Sequence, residues 1–376
     1  MKVLSIGSDR KLFEDDSAVS DRIKEYGAMV EEYHVVVFAK HSLGLQKKQL
    51  APNVWIYPTN SISRWLYVHD ASRIGKEIVF KNKFIRGQAV ITAQDPFESG
   101  LSAYKVKKRW QLPLEIQLHT DPFSPNFNSF LNIIRKFIAR MILRKADSVR
   151  VVTKELRDKI SAMTKARINI LPIYIDSARL ESAKASFDLH TRFGWHFILL
   201  VVSRLAPEKN LSLALETLAL VYDKYPDTGL VIVGSGPEMG RLKALAKKLK
   251  IENAVAFVGW QDDITSYYKT ANAFIQTSLF EGYGLSLIEA GLSGLPILTT
   301  PVGIAKELES GRDVYIYPAD RPDLFALGVL DLIRNNFKRE SLRINMMYTL
   351  KNKLISKEEY LKRVIENWQS ASKQIQ

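Results

Sequence analysis

Phe280-Glu281-Gly282-Tyr283-Gly284-Leu285-Ser286-Leu287-Ile288-Glu289-Ala290-Gly291 is the stretch whose reading decides the fold. Residues 272–277 ahead of it are short, apolar and β-prone, and read as a buried strand. Leu285, Leu287, Ile288 and Leu292 sit among good helix formers, so a helix follows. The two glycines let the backbone take positive φ, and the helix turns its first N–H groups back toward that place. Such a strand-loop-helix passage is an anion site. Glu281 lies in the loop and Glu289 about two turns on, on roughly one face, so that both address one elongated polar ligand. Helix N-termini take phosphate, and carboxylates accept hydrogen bonds from sugar hydroxyls; a nucleotide sugar offers both. The blander alternative makes Glu281 a dipole-favoured acid of the first turn and Glu289 a solvated helix residue.

Working outward, short apolar runs alternate with helical patterns along the chain. Residues 2–8, 34–39, 54–57, 89–93, 114–119 and 149–153 read as strands of a first set. After residues 168–172 the regularity lapses, and 176–196 reads as a connection. It restarts at 197–204 and continues through strands at 230–233, 255–259, 272–277, 296–300 and 314–317. This alternation is that of an α/β fold with two mostly parallel sheets, whose ligands collect at the carboxyl ends of strands. Gly7, Gln94-Asp95 and His119-Thr120-Asp121 fall at such ends. A last helix, from about 357 to 376, is free to pack on either unit.

The 376 residues, 46% of them hydrophobic, suffice for two cores. The absence of cysteine excludes a disulfide framework and thiolate metal sites. The opening residues 1–8 are too soon interrupted for a signal peptide and read as the first strand, and no apolar run approaches a membrane span. The net charge is +14, and nearly all of the excess lies between residues 41 and 150, with 18 Lys and Arg against 7 Asp and Glu; the other 266 residues hold 36 against 33. That region suits nucleic acid, an anionic membrane surface or an anionic substrate. No recognition-helix or RNA-binding motif accompanies it, so nucleic acid is not expected.

Other constellations bear on the same chemistry. Ser203-Arg204-Leu205-Ala206-Pro207-Glu208-Lys209-Asn210 puts a guanidinium at a strand end and an ammonium at the next helix start, both suited to phosphate. Gly234-Ser235-Gly236-Pro237 is part of a dinucleotide fingerprint without its third glycine and following acid, which weighs against NAD. His119 stands at a strand's carboxyl end. Six histidines without matching acid spacing give no metal site, and there is no Asp-x-Asp. Residues 127–145 place Phe130, Leu131, Ile134, Phe137, Ile138, Met141 and Ile142 on one broad face amid five cations. This is either a basic interfacial helix or a core helix with snorkelling cations. Lys105-Val106-Lys107-Lys108-Arg109-Trp110 adds charge.

In these residues the chain resembles the retaining glycosyltransferases of family four, which have the GT-B fold. The resemblance covers nearly the whole chain and is strongest from 197 to 309. Its signature of two glutamates separated by seven residues is matched from Phe280 to Glu289. The family's Ser-Arg-Leu…Lys-Asn phosphate motif is matched by Ser203-Arg204-Leu205 and Lys209-Asn210, and its Gly-x-Gly-Pro turn by Gly234 to Pro237. The resemblance implies two Rossmann-like domains facing a central cleft, residues 1–180 for the acceptor and 181–356 for the donor, with the last helix (about 357–376) crossing back to the first domain. It implies that Glu289 binds the ribose and that Glu281, with Gly282, Tyr283, Gly284 and Leu285, holds the donor sugar. Arg204 and Lys209 neutralise the diphosphate without a metal, Gly234 and Gly236 approach the nucleotide, and Gly7 lines the donor side. His119 matches the cleft histidine near the reacting centre. No cofactor is implied beyond a UDP- or GDP-sugar, moved to a glycan or lipid-linked acceptor by a cytoplasmic enzyme, at most peripheral on the inner face of a membrane. Two departures concern loops: Gly7-Ser8-Asp9-Arg10 stands where relatives carry Gly-Gly, and Gly303-Ile304 replaces a second Gly-Gly. An epimerase or hydrolase on the same fold, or a silent sugar-nucleotide binder, are the alternatives.

Overall fold

The computed structural model describes residues 1–15, 17–124 and 130–373, without the side chains of Ala18 and Lys373. Residues 127–129 and 374–376, which the sequence reading included in helices, lie outside the described residues. The chain divides into one unit of Met1–Ile173 with Ser356–Gln376 and a second of Tyr174–Ile355. The division thus falls at 173 and 174, rather than at the 180 and 181 read from the sequence.

The first unit holds β1 (Lys2–Gly7), β2 (Glu32–Val37), β3 (Lys48–Ala51), β4 (Val54–Pro58), β5 (Ala89–Ala93), β6 (Leu114–Leu118), β7 (Ser148–Val151) and β8 (Arg167–Ile170). They form one sheet in the order β3-β4-β2-β1-β5-β6-β7-β8, parallel except for β3 at the edge. β5, β6 and β7 are buried along their whole length, as a parallel sheet covered on both faces requires. The connections run through α1 (Ala18–Ala28), α2 (Tyr67–Lys81), α3 (Glu98–Trp110), α4 (Phe130–Leu143) and α5 (Lys154–Ser161). Ser17 caps α1 and Thr153 caps α5 through their side chains. The order reverses between β1 and β5, where Gly7 lies so close to Gln94 that a Cβ would sit 2.0 Å from its Oε1.

The second unit opens with two short helices, α6 (Ser177–Ser182) and α7 (Leu189–Phe193), in the stretch read from sequence as a plain connection. Its strands are β9 (Phe197–Val202), β10 (Thr228–Val233), β11 (Val255–Gly259), β12 (Ala273–Gln276), β13 (Ile297–Thr299) and β14 (Tyr315–Ile316). They pair in the order β11-β10-β9-β12-β13-β14, every pairing parallel. The helices are α8 (Leu211–Tyr222), α9 (Met239–Lys248), α10 (Ile264–Thr270), α11 (Leu285–Leu292), α12 (Pro322–Arg334) and α13 (Asn336–Lys353). The core joins Leu199 and Val201 of β9 to Leu213 and Leu218 of α8 and to Phe325 and Val329 of α12, all buried.

The chain ends in α14 (Lys357–Lys373), which belongs to the first unit. Ile116 of β6 faces Gly100 of α3, while its neighbour Glu115 accepts a hydrogen bond from Trp368 Nε1 of α14 at 3.1 Å. The period-two alternation therefore sets α3 and α14 on opposite faces. Trp368 is fully buried, stacks on Tyr33 and meets Tyr26 edge-on. Among the described residues no helix is long and apolar enough to cross a membrane.

Trp368→Ala removes this anchor and leaves Glu115 short of a donor. Guanidinium unfolding followed by circular dichroism should show a loss of about 3–5 kcal/mol. A loss below about 1 kcal/mol would mean that α14 does not hold the first unit together.

Candidate functional site in the second unit

Strand order alone directs attention to one place. β9 leads outward to β10 and β11, and the chain then returns to lay β12 on the other side of β9. A doubly wound sheet opens a crevice at such a reversal, beyond the carboxyl ends of the two strands. β9 runs there into Ser203-Arg204, and β12 into the loop that carries Glu281.

Lys209 ends a short 3-10 turn, Pro207–Lys209, and Asn210 in left-handed conformation passes the chain into α8. The Lys209 ammonium donates to Glu281 Oε1 at 2.7 Å. The same oxygen accepts from Ser278 Oγ at 2.7 Å and Gln276 Nε2 at 3.3 Å. Both charged side chains are largely buried, at 18% and 12% exposure. The two loops are also joined through their backbones: Leu279 N–H donates to the Glu208 carbonyl at 2.9 Å, and Thr277 Oγ1 to the Lys209 carbonyl at 3.0 Å. Arg204 is mostly exposed and pairs with Glu208, an ion pair of small worth in water. Its guanidinium is free to turn toward an anion.

Of the two loop glycines, Gly284 alone takes positive φ, at 94°. It stands as the N-cap of α11 and offers no capping side chain; Leu287 N–H donates to the Gly284 carbonyl at 3.2 Å, so it is the Leu285 and Ser286 N–H groups that face another acceptor. Tyr283 is buried, Leu285 is partly exposed, and the Tyr283 carbonyl accepts from Ile304 N–H at 2.8 Å. Gly303 packs on this turn so closely that a Cβ would lie 2.5 Å from the Tyr283 carbonyl oxygen. Gly234 and Gly236 press on the loop after β9: a Cβ on them would lie 1.9 Å from the Ser203 carbonyl oxygen and 2.2 Å from that of Leu205. Ser203 Oγ is buried there without a hydrogen-bond partner.

Glu289 and Glu281 have separate partners. Tyr268 of α10, fully buried, donates its hydroxyl to Glu289 Oε2 at 3.0 Å. Burial raises the Glu289 carboxyl above its ordinary pKa, and the Tyr268 hydrogen bond works against that rise. In the first unit, His119 follows β6 with Nε2 3.3 Å from Gln117 Oε1. Burial first, then the charges of Arg150 and Arg22, depress its pKa to about 4, so it is neutral at physiological pH. Ser8 N–H lies 3.4 Å from Gln94 Oε1 beside Gly7. The structure thus gathers Arg204, Lys209, Glu281 and the Gly284 turn in the second unit, and places Gly7 and His119 in the first. Ser278, Gln276 and Tyr268 were not singled out from sequence. Ser278 is within the loop, but the Tyr268 contact spans 21 residues and leaves no trace in spacing.

Residues 188–347 match the family model described as Glycosyl transferases group 1. An uncharacterized glycosyltransferase of Haemophilus influenzae is 31% identical over 172 residues, 45% of this chain and 47% of that protein. An alpha-monoglucosyldiacylglycerol synthase of Streptococcus pneumoniae is 27% identical over 229 residues, 56% of this chain and 51% of the relative. The chain therefore spans about half the length of these curated relatives. Anabaena Alr3699/HepE in complex with UDP and glucose superposes with a TM-score of 0.78 at 19% identity, covering 98% of this chain and all of that one. Sucrose-phosphate synthase from Thermosynechococcus elongatus gives 0.79 at 17%, covering 98% and 99%. The fold is GT-B, and the chain resembles the group 1 glycosyltransferases.

The Glu289 environment makes a prediction that needs no ligand. With its folded value raised, Glu289 loses its charge at a higher pH than an ordinary glutamate, near 4.3. Tyr268→Phe takes away the opposing hydrogen bond and should move the midpoint further up. Side-chain carbon-13 NMR, assigned with Glu289→Gln, reads both; an unmoved midpoint in Tyr268→Phe would mean that the hydroxyl does not tune this carboxylate.

Proposed function

We propose that the chain is a retaining glycosyltransferase that moves a hexose from a UDP- or GDP-sugar onto a glycan or lipid-linked acceptor. The observation that carries this reading is the meeting of Lys209 and Glu281 at the β9–β12 reversal, with Arg204 and the α11 N-terminus beside them. The family match over 188–347, which takes in all of these residues, supports it. So do the solved structure bound to UDP and glucose and a relative whose name specifies a glycolipid product.

In this reading the diphosphate lies over the α11 N-terminus, and Lys209 and Arg204 stabilise the charge that develops on it as the anomeric C–O bond breaks. Cations then do the work that a divalent metal does elsewhere. Arg204 leaves Glu208 for the diphosphate, exchanging a solvated ion pair for a bidentate one. Glu281, held by Ser278 and Gln276, fixes the Lys209 ammonium and offers its second oxygen to the donor sugar. Glu289 accepts the ribose hydroxyls, and Gly234 and Gly236 let the backbone approach the nucleotide. The acceptor hydroxyl attacks on the face that the diphosphate leaves. The chain is proposed to act in the cytoplasm, in cell-surface polysaccharide or glycolipid synthesis.

The test is a calorimetric panel of UDP, GDP, ADP and their sugars in excess chelator, followed by turnover of the donor that binds. One nucleotide should bind in chelator, and Glu289→Ala should abolish that binding. Arg204→Ala, Lys209→Ala and Glu281→Ala should each lower turnover by about 10²–10³ while circular dichroism stays unchanged. Failure of every nucleotide to bind, or near-normal turnover in all three variants, overturns the reading.

A further inference from the structure

The helix α4 carries a feature that the proposed transfer does not use. Its sequence, Phe-Leu-Asn-Ile-Ile-Arg-Lys-Phe-Ile-Ala-Arg-Met-Ile-Leu, contains no acid. Ala139, Ile142 and Leu143 are buried and hold the helix to the first unit. The opposite stripe faces solvent: Phe130 is 80% exposed, Phe137 71% and Ile133 58%, with Leu131 and Ile134 also open. Positions 130, 133, 134 and 137 follow the i, i+3, i+4, i+7 rule of one helix face. The sequence left open whether this is a core helix with snorkelling cations. These exposures exclude that arrangement for its first half.

Beyond Phe137 the same stripe turns cationic. Arg140, Arg144 and Lys145 are exposed, and with Phe137 and Met141 they line an open cavity of about 360 Å³. Among the described residues none of these three has a carboxylate partner, nor do Lys105, Lys108 and Arg109 of the adjoining α3. By contrast, Arg135 is paired with Glu98, and Lys107 with Asp147. An apolar stripe of this size on a water-facing helix marks a binding surface. A second copy would bring like charges together without an acid to relieve them. A nucleic acid would satisfy the cations but leave the aliphatic side chains of Leu131, Ile133 and Ile134 in water. An anionic bilayer satisfies both: acyl chains take the aromatic and aliphatic side chains, while arginine and lysine reach phosphates at headgroup level.

We infer that α4 is a docking helix that lies in the interface of an anionic membrane, with Phe130 and Phe137 inserted and Arg140, Arg144 and Lys145 on lipid phosphates. This goes beyond the transfer reaction and does not depend on it. The full chain is to be sedimented with vesicles of phosphatidylcholine alone and of phosphatidylcholine containing about one third phosphatidylglycerol. The protein should bind the anionic vesicles and not the neutral ones, with binding falling as salt screens the phosphates. Phe130→Glu/Phe137→Glu and Arg140→Gln/Arg144→Gln/Lys145→Gln should each lower the partition by about tenfold. These positions are exposed, so melting temperature and nucleotide binding should stay those of the parent; nucleotide titration of the same samples separates a failure here from a failure of the donor site. Absent binding to anionic vesicles, or variants that partition like the parent, overturns the inference. Light scattering that finds lipid-free dimers which Phe130→Glu/Phe137→Glu dissolves overturns it too, and gives the stripe to a second copy.

Discussion

The ion pair of Lys209 and Glu281 is the constraint on which the second unit's site depends. It joins the loop after β9 to the loop after β12 across the reversal in strand order. A largely buried pair gains little from attraction alone, because desolvation of both charges opposes it. Here Ser278 and Gln276 share the desolvation of the carboxylate by donating to the same oxygen. The ammonium is thereby placed by a carboxylate that two neighbours hold, and not by its own flexible stem alone. Arg204 differs: exposed, and tied to Glu208 four residues on, it is the movable charge of the two. One fixed and one mobile cation suit an anion that must be bound, stabilised as its charge grows, and released.

Around that pair, glycine is required by close contact as well as by turn geometry, since Gly234 and Gly303 also take positive φ, at 131° and 54°. At Gly234, Gly236 and Gly303 the missing Cβ would overlap a backbone carbonyl oxygen at 2.5 Å or less. Backbone does not yield as a side chain does, so the loops after β9, β10, β12 and β13 are locked in mutual contact. Gly284 serves another end, taking the positive φ that starts α11 without a capping side chain. The tightness leaves Ser203 Oγ buried and unpartnered, a local cost that a ligand or water at the strand end can offset.

Much of this was legible in the sequence where chemistry and spacing coincide locally. The strands ending at Gly7, Ala93 and Val233 were read to within one or two residues, because fully buried parallel strands are unbroken apolar runs. Glu281, Lys209 and Arg204 were readable because their loops follow such strands. β3 was not, since Lys-Gln-Leu-Ala is an edge segment with little apolar signal. The partner of Glu289 was not, because Tyr268 meets it only through tertiary packing across 21 residues; Ser278, three residues ahead of Glu281 in the same loop, carries no signal that sets it apart from an ordinary loop serine. The two glutamates have different protein partners, one ionic and one phenolic. For α4, the pattern stated amphipathicity but not which face the sheet would take.

The first unit carries its charge in an unequal way, and this bears on how its two helix layers divide their tasks. On the α14 side, Glu115 and Arg150 are buried in the sheet among Tyr26, Tyr33 and Trp368. Burial opposes the charge on Arg150, but Tyr360 and Glu115 more than offset it, so the guanidinium stays ionised inside. Glu115 Oε2 and Arg150 Nη1 nonetheless find no hydrogen-bond partner. A layer built on such groups must stay closed, because opening it would expose a stacked tryptophan and leave buried charge half satisfied. The opposite layer inverts this: there the buried contacts are small and apolar, as where Gly100 admits Ile142, and the aromatic and cationic side chains of α4 are turned to solvent. Specific polar packing is spent where the chain's last helix must return to one register. Non-specific apolar and cationic groups face outward, where a fluid partner of no fixed register can accept them.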